Sequence, residues 1–96
     1  MDEPNLLDTE YCEELTQPGR FDWPEEGTQG RIERIRIKST GVTEVRFSWW
    51  KNKQFMPRPL DLPEADLLDL MKDAFRTGAL SSEFRTDLKE FLNSIP

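Results

Sequence analysis

Between Arg31 and Trp50 the side chains alternate, and this alternation restricts the chain more than any other feature. In RIERIRIKS, Ile35 and Ile37 fall on one side of an extended backbone and Arg34, Arg36 and Lys38 on the other. In TEVRFSWW, Val45, Phe47 and Trp49 fall on one side and Arg46, Ser48 and Trp50 on the other. A period of two is that of a β-strand with one half-buried face. The intervening STG suits a three-residue hairpin loop with Gly41 left-handed, which pairs Lys38 with Val42, Arg36 with Glu44, Ile35 with Val45 and Arg34 with Arg46. A second loop, KNK, pairs Trp50 with Gln54 and Trp49 with Phe55, and starts a third strand that Pro57 and Pro59 confine to an edge. On this register Trp49 belongs to the core and Trp50 to the open face.

Beyond Pro59 the period becomes helical. LDLPEADLLDLMKDAFRTG offers Asp61 as a cap with Glu64 three residues on, Pro63 in the first turn, an apolar stripe of Leu67, Leu68, Met71, Ala74 and Phe75, and Gly78 as a stop. A second helix follows from Ser81 or Ser82, with Phe84, Leu88, Phe91, Leu92 and Ile95 on its apolar side. Ahead of the strands, Leu7, Tyr11 and Leu15 recur at a spacing of four, which fits a short helix, while the acidic composition fits a disordered arm equally well. The expected fold is α+β: a three- to four-stranded antiparallel meander packed on one face by two C-terminal helices. Residues 1–30 form an acidic N-terminal arm and residues 31–96 a single domain.

The 96 residues carry a net charge of −6, which opposes nonspecific nucleic-acid binding, yet the charge is segregated. Residues 1–30 hold nine acids and one base, residues 31–58 eight bases and two acids, and residues 59–96 eight acids and four bases. A basic centre thus lies between acidic ends. No apolar run approaches a membrane span, and the acidic start lacks the zones of a secretory signal, so a cytoplasmic protein is expected. Cys12 is the single cysteine and there is no histidine, which excludes an internal disulfide and the usual Cys/His zinc site. With no histidine base, no phosphate-cradling glycine motif and no activator beside Cys12, the expected protein is not an enzyme and needs no cofactor or metal.

The outward sheet face combines cations with an aromatic ring. Arg34, Arg36, Lys38, Arg46, Ser48 and Trp50 share it, and Lys51 and Lys53 extend its rim. Such a surface suits single-stranded DNA or RNA, because bases follow phosphates while an exposed ring stacks on a nucleobase. Arg34 opposite Arg46 is a like-charge pair that an anion would relieve. The plainer alternative is a solvated face covered by the acidic arm, with Glu13, Glu25 or Glu26 pairing to the arginines.

Residues 32–75 also resemble the single-stranded-DNA-binding domain of the positive cofactor four family of transcriptional coactivators. The likeness rests on the strand pair with its STG turn, the strand end SWW, Pro57, and LDLPEADLLDLM running from a last strand into a helix. The resemblance implies a curved antiparallel sheet, a homodimer, and nucleic-acid contacts at Arg34, Arg36, Arg46 and Trp50. MPRP stands where the family has a basic, glycine-containing segment, and the second helix has no counterpart in the minimal domain.

The expected function is therefore that of a small binding protein for single-stranded nucleic acid, acting in transcription or replication. The alternative is an acidic protein-interaction module, a regulator or inhibitor that docks through Leu7, Tyr11 and Leu15 or through an exposed tryptophan face. An acidic mimic of DNA is a third reading, which the central cluster of bases opposes.

Overall fold

A computed structural model of the chain describes residues 6–24 and 27–96. Six strands form one antiparallel sheet: β1 (Cys12–Glu14), β2 (Gly19–Trp23), β3 (Thr28–Ile37), β4 (Thr43–Lys51), β5 (Gln54–Phe55) and β6 (Leu60–Leu62). The central hairpin β3–β4 is flanked on one side by β1 and β2, which both pair with β3, and on the other by β5 and β6, which both pair with β4. Each edge is thus one strand broken in two. Residues 15–18, ending in Pro18, separate β1 from β2, and residues 56–59, with Pro57 and Pro59, separate β5 from β6. Proline has no amide hydrogen for a ladder, so both interruptions fall on the outer strands.

The described residues up to Glu64 form one compact unit and Ala65–Pro96 another. Helix α1 (Glu64–Thr77) ends at Gly78, whose φ of +85° a residue with a side chain adopts only under strain, and the Leu80 amide donates to the Ala74 carbonyl just beyond. Helix α2 (Ser82–Ser94) is capped by Ser81, whose hydroxyl accepts from the Phe84 amide at 3.0 Å. The α+β class holds, with two C-terminal helices. Neither helix contains a buried residue, and Phe75 stacks on Phe84 between them with ring centroids 6.0 Å apart. Asp61 does not cap α1; it lies in β6. No helix among the described residues is long and apolar enough to cross a membrane.

Three expectations are corrected by the backbone. Leu7, Tyr11 and Leu15 do not lie on a helix, because Cys12–Glu14 is a strand paired with Ile35–Ile37. The first hairpin loop has four residues, Lys38–Gly41, closed by an Ile37 amide to Val42 carbonyl bond of 2.9 Å. The second has two, Asn52 and Lys53, both left-handed at φ of 50° and 67° as a type I′ turn requires. Each loop differs by one residue from the expected length. The register of β3 on β4 is consequently Ile35 opposite Glu44, Arg34 opposite Val45, Glu33 opposite Arg46 and Arg31 opposite Ser48.

Candidate functional site

A slip of one residue turns every side chain of a strand to the other face. Directly opposed residues of an antiparallel pair share a face, so the observed register divides the expected basic surface in two. Arg34, Arg36 and Lys38 keep company with Val45, Phe47 and Trp49. Arg46, Ser48 and Trp50 lie on the opposite side with Glu33, Ile35 and Ile37.

Of the buried residues among those described, all but Val45 lie on the side holding Arg46. Cys12, Ile35 and Ile37 form its apolar cluster, and around them Glu14, Glu33, Arg46 and Ser48 are buried as well. Burying charge costs free energy unless it is paired, and the pairs are present. Arg46 grips Asp61 through both nitrogens, Nε at 2.8 Å and Nη2 at 3.0 Å. That hydrogen bonding holds the guanidinium pKa above its ordinary value. Glu33, 0% exposed, accepts from the Ser48 hydroxyl at 2.5 Å. Burial, then a side-chain hydrogen bond with Glu14, push its pKa up to about 7, against the opposing pull of Ser48 and Arg46. Glu14 Oε2 and Glu33 Oε1 are buried with no hydrogen-bond partner, which makes a negative charge on Glu33 costly there. The other Glu14 oxygen accepts from the Leu7 amide at 2.6 Å, which ties the N-terminal segment down.

Trp50 belongs to this side too and is half-buried. The Arg31 guanidinium lies 4.1 Å from its ring centroid, and Phe55 meets it edge-on at 5.2 Å. The ring expected to stack on a nucleobase is already sandwiched. Arg46 and Ser48 are buried on the same side, so three of the expected nucleic-acid residues lie away from the open face.

The opposite side carries the exposed apolar surface. Trp49, expected in the core, is 47% exposed, and Phe21, Trp23, Ile32 and Leu60 are exposed with it. Phe21 and Trp23 meet edge-to-face at 5.0 Å. The Trp23 ring lies over Gly30, where a Cβ would come within 2.8 Å of it, so glycine there lets an aromatic ring lie flat on the sheet. Phe21, Trp23, Gly30, Ile32, Phe47 and Trp49 line a hollow of about 510 Å³. Three bases of this side are each met by an acid: Arg34 by Glu64 at 2.9 Å, Arg36 by Glu13, and Lys38 by Asp8. Glu13 thus does pair with a basic sheet residue, Arg36 rather than Arg34 or Arg46; Glu25 and Glu26 lie outside the described residues. Lys51 is exposed on the side of Trp49, and Lys53 is exposed in the type I′ turn.

Of the alternative docking residues, Tyr11 and Leu15 are exposed and Leu7 is half-buried, facing a second hollow with Trp50 and Phe55. The carboxyl pair Glu14–Glu33 and the aromatic group Phe21–Trp23–Trp49 had no signal in the alternation alone, since both depend on register and on strands in the N-terminal third. No protein-family model, no curated protein and no solved structure matches the chain.

Proposed function

We propose that the protein is a non-enzymatic interaction module whose aromatic sheet face, centred on Trp49, receives an apolar ridge of a partner protein. The observation that carries this reading is the grouping of Phe21, Trp23, Ile32 and Trp49, all exposed, on one side of a sheet whose other side holds the Cys12–Ile35–Ile37 cluster. Solvent-exposed aromatic groups of this extent are characteristic of binding surfaces, where large rigid rings supply much of the affinity. The ion pairs of Arg34, Arg36 and Lys38 further support a protein ligand over a polyanion, which would have to displace three acids. The test is affinity capture from the native source with the wild-type chain and with Trp49→Glu. A specific partner retained by the first and lost by the second is expected; a partner set indifferent to Trp49→Glu overturns the reading.

A second reading, single-stranded nucleic acid on the same face, is favoured by one observation: exposed Trp49 has Lys51 two residues on, on the same side of the strand. It requires salt-sensitive binding of an oligonucleotide that Trp49→Ala weakens by ~1 to 3 kcal/mol while Trp50→Ala acts only through stability. Absence of salt-sensitive binding removes this reading and leaves the first standing.

A further inference from the structure

Strand β2 pairs with β3 on one side, and among the described residues no strand pairs with its other side. All five of its residues, Gly19–Trp23, are exposed. Which of its backbone groups face outward follows from β3. The Ile37 amide bonds β4's side of the sheet at Val42, whereas the Lys38 amide and the Arg34 carbonyl bond the β1 side, at Tyr11 and Leu15. Even-numbered residues of β3 therefore turn their backbone toward β1 and β2. Ile32, Gly30 and Thr28 face Gly19, Phe21 and Trp23, and the amides and carbonyls of Arg20 and Asp22 point outward, unused by the sheet.

We infer that this edge pairs with the same edge of a second copy of the chain, antiparallel about a two-fold axis through Phe21. Only three in-register alignments let outward-facing groups of both copies meet. Two of them set Arg20 against the partner's Arg20 or Asp22 against the partner's Asp22. The third sets Arg20 against the partner's Asp22 and the partner's Arg20 against Asp22, and it alone uses both residues' backbone groups twice over. The strand is therefore complementary to itself in charge and in hydrogen bonding at one register, which is what an isologous contact requires. Arg20 also has an electrostatic reason to seek an acid. It lies directly opposite Arg31 in the sheet, and makes no ion pair with a described acid. Burial and this neighbour together depress the Arg31 pKa. The partner's Asp22 would be supplied on the same side of the strand. On the other side, Phe21 meets the partner's Phe21 at the close, non-hydrogen-bonded position, and the two aromatic faces become one surface. Pro18 and Pro24 bound the strand, so the pairing is five residues long and cannot spread into a fibre.

The inference stands on the β2 backbone edge and holds whether or not the aromatic face takes a partner protein. Sedimentation of the full chain over a concentration series should show a monomer–dimer equilibrium. Asp22→Arg, which puts two arginine pairs across the axis, should weaken the dimer by on the order of tenfold or more, and Arg20→Asp with Asp22→Arg, which restores opposite charges, should recover it. Phe21→Cys leaves these charges in place and should form an intermolecular disulfide on mild oxidation, since opposed non-hydrogen-bonded residues lie about 4.5 Å apart at Cα. Gly19→Cys should not, because it faces the partner's Trp23. The wild type supplies the background, as its single thiol, Cys12, is 0% exposed. A monomer at every concentration, a dimer unmoved by Asp22→Arg, or equal crosslinking through Gly19→Cys and Phe21→Cys overturns the inference.

Discussion

Trp49 and Trp50 are neighbours in the chain and occupy opposite environments. Trp49 stands in solvent, whereas Trp50 is held between Arg31 and Phe55. Trp49→Ala should therefore leave the melting temperature nearly unchanged, while Trp50→Ala removes ring contacts and a cation–π interaction and should cost ~2 to 4 kcal/mol in a denaturant titration. Arg46 gives a second contrast. Its side chain is buried against Asp61, so Arg46→Ala leaves an acid without its partner in a poorly solvated place and should destabilise by ~3 to 5 kcal/mol. Arg46→Met with Asp61→Leu removes both charges and should recover most of that loss, measured in the same titration.

At the scale of elements, the strands of the hairpin and both helices were legible from their periods, and the register was not. Apolar residues occur on both sides of β4, with Val45, Phe47 and Trp49 on one and Trp50 on the other, so alternation allowed either alignment with Ile35 and Ile37. What separates the alignments is a set of polar bonds across strands, Glu33 to Ser48 and Arg46 to Asp61, and no local pattern announces partners fifteen residues apart. Loop length carries the same decision. A four-residue first loop and a two-residue second loop replace three-residue ones, and each moves the pairing by one. β1 and β2 were missed because three-residue and five-residue edge strands broken by a proline leave too short a pattern to read. The type I′ turn supplies a direct check. Lys53 sits at φ 67°, a conformation that costs a side chain about 1 kcal/mol and glycine almost nothing, so Lys53→Gly should raise stability by ~0.5 to 1 kcal/mol in thermal denaturation.

Across the whole molecule, the segregation of charge along the sequence becomes contact between segments. Acids of the first third and of the β6–α1 region pair with four of the eight bases of the basic centre, through Asp8, Glu13, Asp61 and Glu64. The exception is Glu33, which is placed beside another acid. Its carboxyl holds a proton up to a pH of about 7 in the folded chain and to about 4.5 when unfolded. Between those values the folded state binds more protons, so stability should fall as pH rises from about 4.5 through about 7 and level off above. Glu33→Gln, which keeps the shape of the protonated acid, should flatten this slope and be the more stable protein at pH 8.5, by up to about 3 kcal/mol in urea titrations. The same region contains the molecule's only thiol. Cys12 is a buried residue of edge strand β1, two residues from Glu14, so a thiol reagent reaches it only when β1 lifts away from β3. Its rate of modification, divided by that of an unhindered thiol, is then a clock for local opening of the N-terminal third. That clock should run faster above pH 7 than below it, and Glu33→Gln should remove the difference.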